Sequence, residues 1–273
     1  MPNFSYDSHV ARNMGYIAPS TQENMRFTPL LIAGCGIGSG LAVLAARMGF
    51  TQFILVDGDT LSAHNLNRQF YSFSDVGRFK VDALKDHILA INPEANVAAH
   101  PVYLTLENTA EFVSQAGLVF DTVDFLDLGA ILTLHRAAHE LRKPIITALS
   151  VGFGALTWVF QPSDGYTLVD ALTPQLDSHG AEATYADVFA DFMSGLAPYL
   201  DAEVVSEVQR VLALMREGAP CPASQVAVGS FAIAAMAGSL LDDIMAGRPI
   251  MSGPQLHIHS FKKQQTTRVS LKA

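Results

Sequence analysis

The segment Ala33-Gly34-Cys35-Gly36-Ile37-Gly38-Ser39-Gly40 constrains this chain more than any other. It follows a short apolar run, Leu30-Leu31-Ile32-Ala33, and precedes the helical pattern LAVLAARMGF. An apolar run of four bounded by turn residues reads as a buried strand. Glycines between such a strand and a helix let backbone N–H groups approach an anion, and the helix N-terminus favours negative charge there. Asp57 stands 23 residues after Gly34, at the end of a second apolar run, Phe53 to Val56. That is where an acid grips a ribose hydroxyl in a nucleotide-binding βαβ unit. Taken alone, the glycines also suit a plain tight strand–helix turn. The acid at this distance favours nucleotide. No Gly-Lys-Ser/Thr follows the glycines, so the loop is not a Walker P-loop.

The alternation continues down the chain. Residues 77–91 place Val81, Leu84, Ile88 and Ile91 at helical spacing, and Asn92-Pro93 stops that helix. Strands are expected over 97–102, 118–121 and 144–147, with a helix over 128–142. Residues 163–182 read as loop, 184–216 as acidic helix, and 223–246 as a long Ala/Gly/Ser-rich helix. Residues 256–261 and 267–271 alternate like strands. The expected fold is α/β: a doubly wound, Rossmann-like, mostly parallel sheet with C-terminal antiparallel strands and a helical insertion. We expect an N-terminal arm over 1–27 and one nucleotide-binding domain over 28–273, with the insertion at about 165–218.

Composition excludes several functions. The chain has 273 residues, 49% hydrophobic and 16% charged, which suffices for a sizeable core. Its net charge is −9, from 26 acids against 17 bases, and no basic run appears, which argues against nucleic acid as a partner. Two cysteines, Cys35 and Cys221, cannot form a disulfide framework or a four-cysteine zinc clip. The N-terminus lacks an apolar signal region, and apolar stretches are interrupted by Gly, Ser or charge short of a membrane span. The expectation is a cytoplasmic protein with reduced thiols and no membrane contact.

A polar cluster defines the chemistry. Residues 65–69 read Asn-Leu-Asn-Arg-Gln, Lys80 follows at a helix start, and Asp121-Thr-Val-Asp124 ends the fourth strand. In an open parallel sheet these positions gather at the carboxyl edge. An Arg, a Lys and a magnesium-capable Asp around a nucleotide are phosphoryl-handling groups, which hydride transfer does not need. Each charge alone also suits a solvated loop.

These motifs, with LVDGDTLSAHNLNRQF, GRFK, INPEA and FDTVD, resemble the ubiquitin-activating and ThiF–MoeB–HesA adenylyltransferase family. The resemblance covers residues 9–162 well and 219–271 moderately. It implies that Mg-ATP and the Gly-terminated tail of a ubiquitin-like or sulfur-carrier protein, or a peptide, react to an acyl-adenylate and pyrophosphate. By position it implies that Gly34, Gly36 and Gly38 hold phosphate and that Asp57 holds ribose. Asp59, Asn65, Arg68, Gln69 and Lys80 would surround the triphosphate, and Asp124 would ligate Mg2+. Arg12, in Arg12-Asn13-Met14-Gly15, would be an arginine finger for the neighbouring subunit of a homodimer. No structural zinc is implied, since the family's zinc cysteines are missing. Cys221, between two prolines near a helix start, is either a nucleophile that receives the acyl group or a buried inert thiol; Cys35 reads as packing. His135 and His139 stand at metal-ligand spacing, without the Glu that a zinc-protease helix requires. A non-catalytic nucleotide-binding partner subunit and an NAD-dependent oxidoreductase are the alternatives.

Overall fold

The computed structural model describes residues 4–125, 127–172, 185–217 and 224–271. In chain order the elements are α1 (Tyr6–Val10), α2 (Pro19–Phe27), β1 (Leu30–Ala33), α3 (Gly38–Met48), β2 (Gln52–Val56), α4 (Lys80–Ile91), β3 (Asn96–His100), α5 (Thr109–Gln115), β4 (Leu118–Asp121), α6 (Leu128–Glu140), β5 (Ile145–Ser150), β6 (Gly154–Phe160), α7 (Tyr185–Leu196), α8 (Ala202–Arg216), α9 (Ala227–Met245), β7 (Gln255–Ser260) and β8 (Gln265–Ser270). One eight-stranded sheet has the order β3-β2-β1-β4-β5-β6-β7-β8. β3, β2, β1, β4 and β5 run parallel, and β6, β7 and β8 continue antiparallel.

The side-chain period of strands sorts the core into two layers. Leu30 and Ile32 of β1 face α3, α4 and α9, whereas Leu31 and Ala33 face α5, α6 and the α7–α8 pair. β1 is buried on both faces, as a central parallel strand must be. The chain order reverses direction across the sheet between β1 and β4, and that is where an open α/β sheet leaves a crevice.

Local chemistry sets the boundaries. α3 ends at Gly49, which takes φ of 104° and returns its N–H to Ala45 and Ala46 carbonyls. α4 ends at Asn92, ahead of Pro93. α9 runs 19 residues and is apolar enough to match a membrane span in length, with half of it buried inside the fold. It packs on α3, β5 and β6, where Gly238 admits the Leu44 side chain.

Four sequence expectations change. β6 was not expected; its seven residues are all buried, so no alternation marks it. α5 is also additional. The helix expected over 184–216 is two helices, because Ala197-Pro198-Tyr199 turns between them. Residues 168–172, expected as loop, are helical.

The first 27 residues carry α1 and α2, docked at the far end of α3. Tyr6 Oη donates to Gly49 O at 2.8 Å, and Asn13 Nδ2 donates to Met48 O at 3.0 Å. His9 Nε2 lies 2.9 Å from Ala46 O.

The turn before α4 is organised by Asp75. Its Oδ2 accepts from Ser72 N (2.8 Å), Ser72 Oγ (2.7 Å) and His87 Nε2 (2.8 Å), and Arg78 lies 3.5 Å from Oδ1. Burial alone raises this carboxyl, but the hydrogen bonds from His87 and Ser72 outweigh it and hold it at about 2. A depressed carboxyl adds stability above its unfolded pKa and loses it as pH falls through the folded value. Asp75→Asn should therefore lower the unfolding free energy at neutral pH by about 2 kcal/mol, one pKa unit being about 1.4 kcal/mol. The gap from wild type should shrink from about pH 4 downward. Urea unfolding of both proteins across that range measures it; a gap that stays constant with pH would refute the assignment.

Candidate nucleotide site

The site begins at Gly34, where β1 hands over to the glycine turn. Gly34 takes φ of 88°, and a Cβ there would lie 2.3 Å from the Thr122 carbonyl oxygen. Thr122 follows β4, and its Oγ1 donates to Gly34 O at 2.7 Å. The two strand ends therefore close on each other with room for backbone only. Gly38 is similarly tight, its Cβ position lying 2.5 Å from Thr122 Oγ1. α3 starts with no side-chain cap and no acid in its first turn, so its N-terminus presents uncompensated positive dipole. Ser39 Oγ ties the turn, donating to Gly36 O (2.6 Å) and accepting from Phe70 N (3.0 Å).

Asp57, just past β2, braces the glycine turn. Its Oδ2 accepts from Cys35 N at 2.7 Å and its Oδ1 from Asp59 N at 2.8 Å. Burial raises its carboxyl above the ordinary value, with nearby Lys80 pulling the other way. Lys80 is buried at the start of α4 and donates to Asp59 Oδ2 at 2.6 Å, with Asp57 Oδ2 at 3.9 Å. Lys80 is delivered there by backbone pairing of 59–61 with 77–80: its N–H reaches Asp59 O at 3.0 Å, and Leu61 N reaches Arg78 O at 2.9 Å. Burial raises Asp59 also, but the hydrogen bonds from Lys80 and Tyr103 leave it below its ordinary value. Tyr103 Oη donates to Asp59 Oδ1 at 2.7 Å, and its ring covers Gly58.

The 65–69 turn lies over the glycines. Asn65 is buried and its Oδ1 accepts from Ser62 N at 2.9 Å, closing a capping box. Gln69 is buried with its amide nitrogen 3.1 Å from a Cβ position on Gly36. Its Oε1 has no hydrogen-bond partner among the described residues. An unspent buried amide oxygen over a glycine turn fits a site that a polar ligand completes. Arg68 is half-buried; burial lowers its guanidinium pKa and the nearby Asp124 charge offsets this in part. Asp124 follows β4, and its carbonyl accepts from Asp127 N at 2.8 Å.

The structure thus brings Gly34, Gly36, Gly38, Asp57, Asp59, Asn65, Arg68, Gln69, Lys80 and Asp124 to one edge of the sheet. Arg12 lies elsewhere in its own chain, exposed beside the C-terminal end of α3. Cys221 lies outside the described residues. Cys35 is wholly buried, and burial, with the Asp57 charge, pushes its thiol well above the ordinary value. His135 is buried against Asp121 (3.0 Å) and Thr147 (2.9 Å). No group of three His, Cys, Asp or Glu among the described residues is placed to hold a metal. A single carboxylate still suits Mg2+, which keeps waters and nucleotide oxygens as its other ligands. Tyr103 and Thr122 escaped the sequence reading.

This arrangement can now be set beside known proteins. A sequence model described as the ThiF family matches residues 8–272.

The chain belongs to the ThiF family.

Among relatives, the Sulfur carrier protein ThiS adenylyltransferase of Escherichia coli K12 is 30% identical over 148 residues, covering 54% of this chain and 58% of that protein. The Adenylyltransferase and sulfurtransferase uba4 of Pyricularia oryzae is 34% identical over 129 residues, 46% of this chain and 26% of that protein. This ThiF-family chain therefore spans little more than half of the first relative and about a quarter of the second. The tRNA threonylcarbamoyladenosine dehydratase of Bacillus subtilis is 28% identical over 246 residues, 86% of this chain and 94% of that protein. The crystal structure of E. coli MccB shares the fold, with a TM-score of 0.73 at 19% identity over 99% of this chain and 71% of that chain.

In this ThiF-family fold, Gly34→Ala should cost roughly 2–4 kcal/mol of stability, since it forces both a left-handed backbone and a steric clash. Thermal unfolding measures the cost; a variant within 0.5 kcal/mol of wild type, on the order of an ordinary surface change, would show that the β1–β4 contact yields.

Proposed function

We propose that this protein uses Mg-ATP to adenylate the C-terminal carboxylate of a ubiquitin-like or sulfur-carrier protein or peptide. The observation that carries this reading is the placement of buried Lys80 and half-buried Arg68 around an uncapped helix start, with Asp124 beside Arg68. Two cations and one carboxylate at a glycine turn suit a triphosphate whose charge must be neutralised as it shifts. The tail carboxylate attacks the α-phosphorus; the bond to the bridging oxygen breaks, and pyrophosphate leaves with those electrons. The glycine turn and the α3 dipole hold phosphate oxygens, and Asp57 holds the ribose. Lys80 and Arg68 draw charge off the departing pyrophosphate. Asp124 holds Mg2+, which supplies Lewis-acid stabilisation of the phosphate oxygens when bound. The names of relatives agree: they include adenylyltransferases of a sulfur carrier, and a structural neighbour was solved with ATP. A second reading, tRNA-directed chemistry, is favoured by the extent of the match to the B. subtilis dehydratase. The net charge of −9 weighs against it.

Asp124→Ala should abolish ATP–pyrophosphate exchange driven by a Gly-Gly-terminated carrier while leaving the circular dichroism spectrum unchanged. Exchange at the wild-type rate would remove Asp124 from the chemistry.

Arg12 enters this proposal through a second subunit. In its own chain it sits beside residues bonded to Ala46, Met48 and Gly49, at the end of α3 opposite the glycine turn. Eleven helical residues span about 16 Å, farther than an arginine side chain reaches. A two-fold dimer lets each arm serve the other's nucleotide. Arg12→Ala should lower turnover on the order of 10³-fold with little change in ATP affinity, as for arginine fingers in phosphoryl transfer. Mixing it with Lys80→Ala protein should restore activity, since one site of the mixed dimer keeps both groups. A mixture as inactive as its parents, with subunit exchange verified, would place Arg12 outside the mechanism.

A further inference from the structure

The short connector Ser224-Gln225-Val226, which leads into α9, is bonded on two sides. The Ser224 hydroxyl bonds to Glu207 of α8, whose carboxyl is held at about 2 by hydrogen bonds from Arg210 first and Ser224 second. On the other side, Gln225 grips the 64–69 turn twice. Its main-chain oxygen accepts from Asn67 Nδ2 at 3.0 Å, and its Oε1 accepts from Arg68 Nε at 2.5 Å. Arg68 Nη1 is also engaged, donating to His64 O at 3.2 Å and Asn67 Oδ1 at 2.9 Å. No partner for Nη2 is found among the described residues. An arginine carries much rotamer freedom, and a half-buried one needs its fork held if it is to meet a ligand in one orientation. The three bonds on Nε and Nη1 fix the plane of the guanidinium and leave Nη2 without a partner among the described residues, and the nearby Asp124 charge acts on the same group.

We infer that Gln225 is a positioning residue of the nucleotide site: it holds Arg68 by Nε so that Nη2 meets the phosphates of the bound nucleotide. This rests on the nucleotide-binding reading above. Gln225 does not touch the nucleotide; it acts through Arg68. The grip also couples the connector, and through Ser224 the helix α8, to the orientation of a phosphate-binding cation.

The test compares Mg-ATP binding by calorimetry in wild type, Gln225→Ala, Gln225→Glu, Arg68→Ala and the double Arg68→Ala/Gln225→Ala protein. It adds the solvent exchange of the Arg68 Nε–H, followed by 15N NMR without nucleotide. Gln225 is partly exposed, so the variants should fold; melting temperatures verify this. Gln225→Ala should weaken Mg-ATP roughly tenfold, the size of one lost charge-assisted hydrogen bond. Gln225→Glu keeps the acceptor and should bind within about twofold of wild type. In the Arg68→Ala background, Gln225→Ala should add nothing, which is the signature of action through Arg68. The Nε–H should exchange slowly in wild type and fast in Gln225→Ala. Unchanged affinity in Gln225→Ala, or the same loss with Arg68 already removed, would overturn the inference. Wild-type protein that binds no Mg-ATP would overturn the nucleotide reading instead, and a slow Nε–H in that protein would mark the Gln225–Arg68 bond as a structural joint.

Discussion

One hydrogen bond, from the backbone N–H of Cys35 to the carboxylate of Asp57, organises most of this molecule's working edge. It ties the turn after β1 to the end of β2, so that two strands and the start of α3 share one anchor. The same carboxylate takes the Asp59 N–H, which bends the chain back towards α4. That bend lets 59–61 pair with 77–80 and places Lys80 beneath both acids. One buried cation is thus held between two acids before any ligand arrives. In the proposed reaction a phosphate would meet a lysine that is already oriented by Asp59. Preorganisation of this sort is what electrostatic catalysis requires.

Much of this was legible in the amino-acid sequence because it depends on local rules. The glycine turn, the acid after β2 and the helical spacing of Val81, Leu84 and Ile88 are short-range signals, and β1, β2, β4 and β5 each contain a short apolar run. β6 went unread although Gly154 to Phe160, broken only by Thr157, is an apolar run buried on both faces like β1. The break within 185–216 was missed although Pro198 stood in view, because acidic residues on either side made one amphipathic run look continuous. The site divides in the same way. Gly34, Asp57 and Lys80 announce themselves by type and spacing. Tyr103 and Gln225 do not, because their roles come from long-range contacts 44 and 157 residues away along the chain.

The α7–α8 pair is packed into the same core layer as α6. Val188, Phe192, Met193, Leu196 and Val204 join the cluster that holds Leu31 and Val119. Phe125, next to Asp124, lies with its ring 4.9 Å from Phe189 and 6.0 Å from Phe192. The residue after the candidate magnesium ligand is thus seated on α7, and Arg68 is reached from α8 through the 224–225 connector. The helices between β6 and α9 therefore brace two of the site's charged groups from one side.

The antiparallel half of the sheet ends at β8, and among the described residues no strand pairs with its outer edge. Along it Gln265, Thr266, Arg268 and Ser270 are exposed, while Val269 points into the core. An open edge is a template on which another chain can extend the sheet, with aggregation as the usual end. Here such growth would have to strip water from an arginine and a row of side-chain amides and hydroxyls. Polar side chains on the last strand thus act as a stop for the sheet, so that a fold with eight strands in register stays finite.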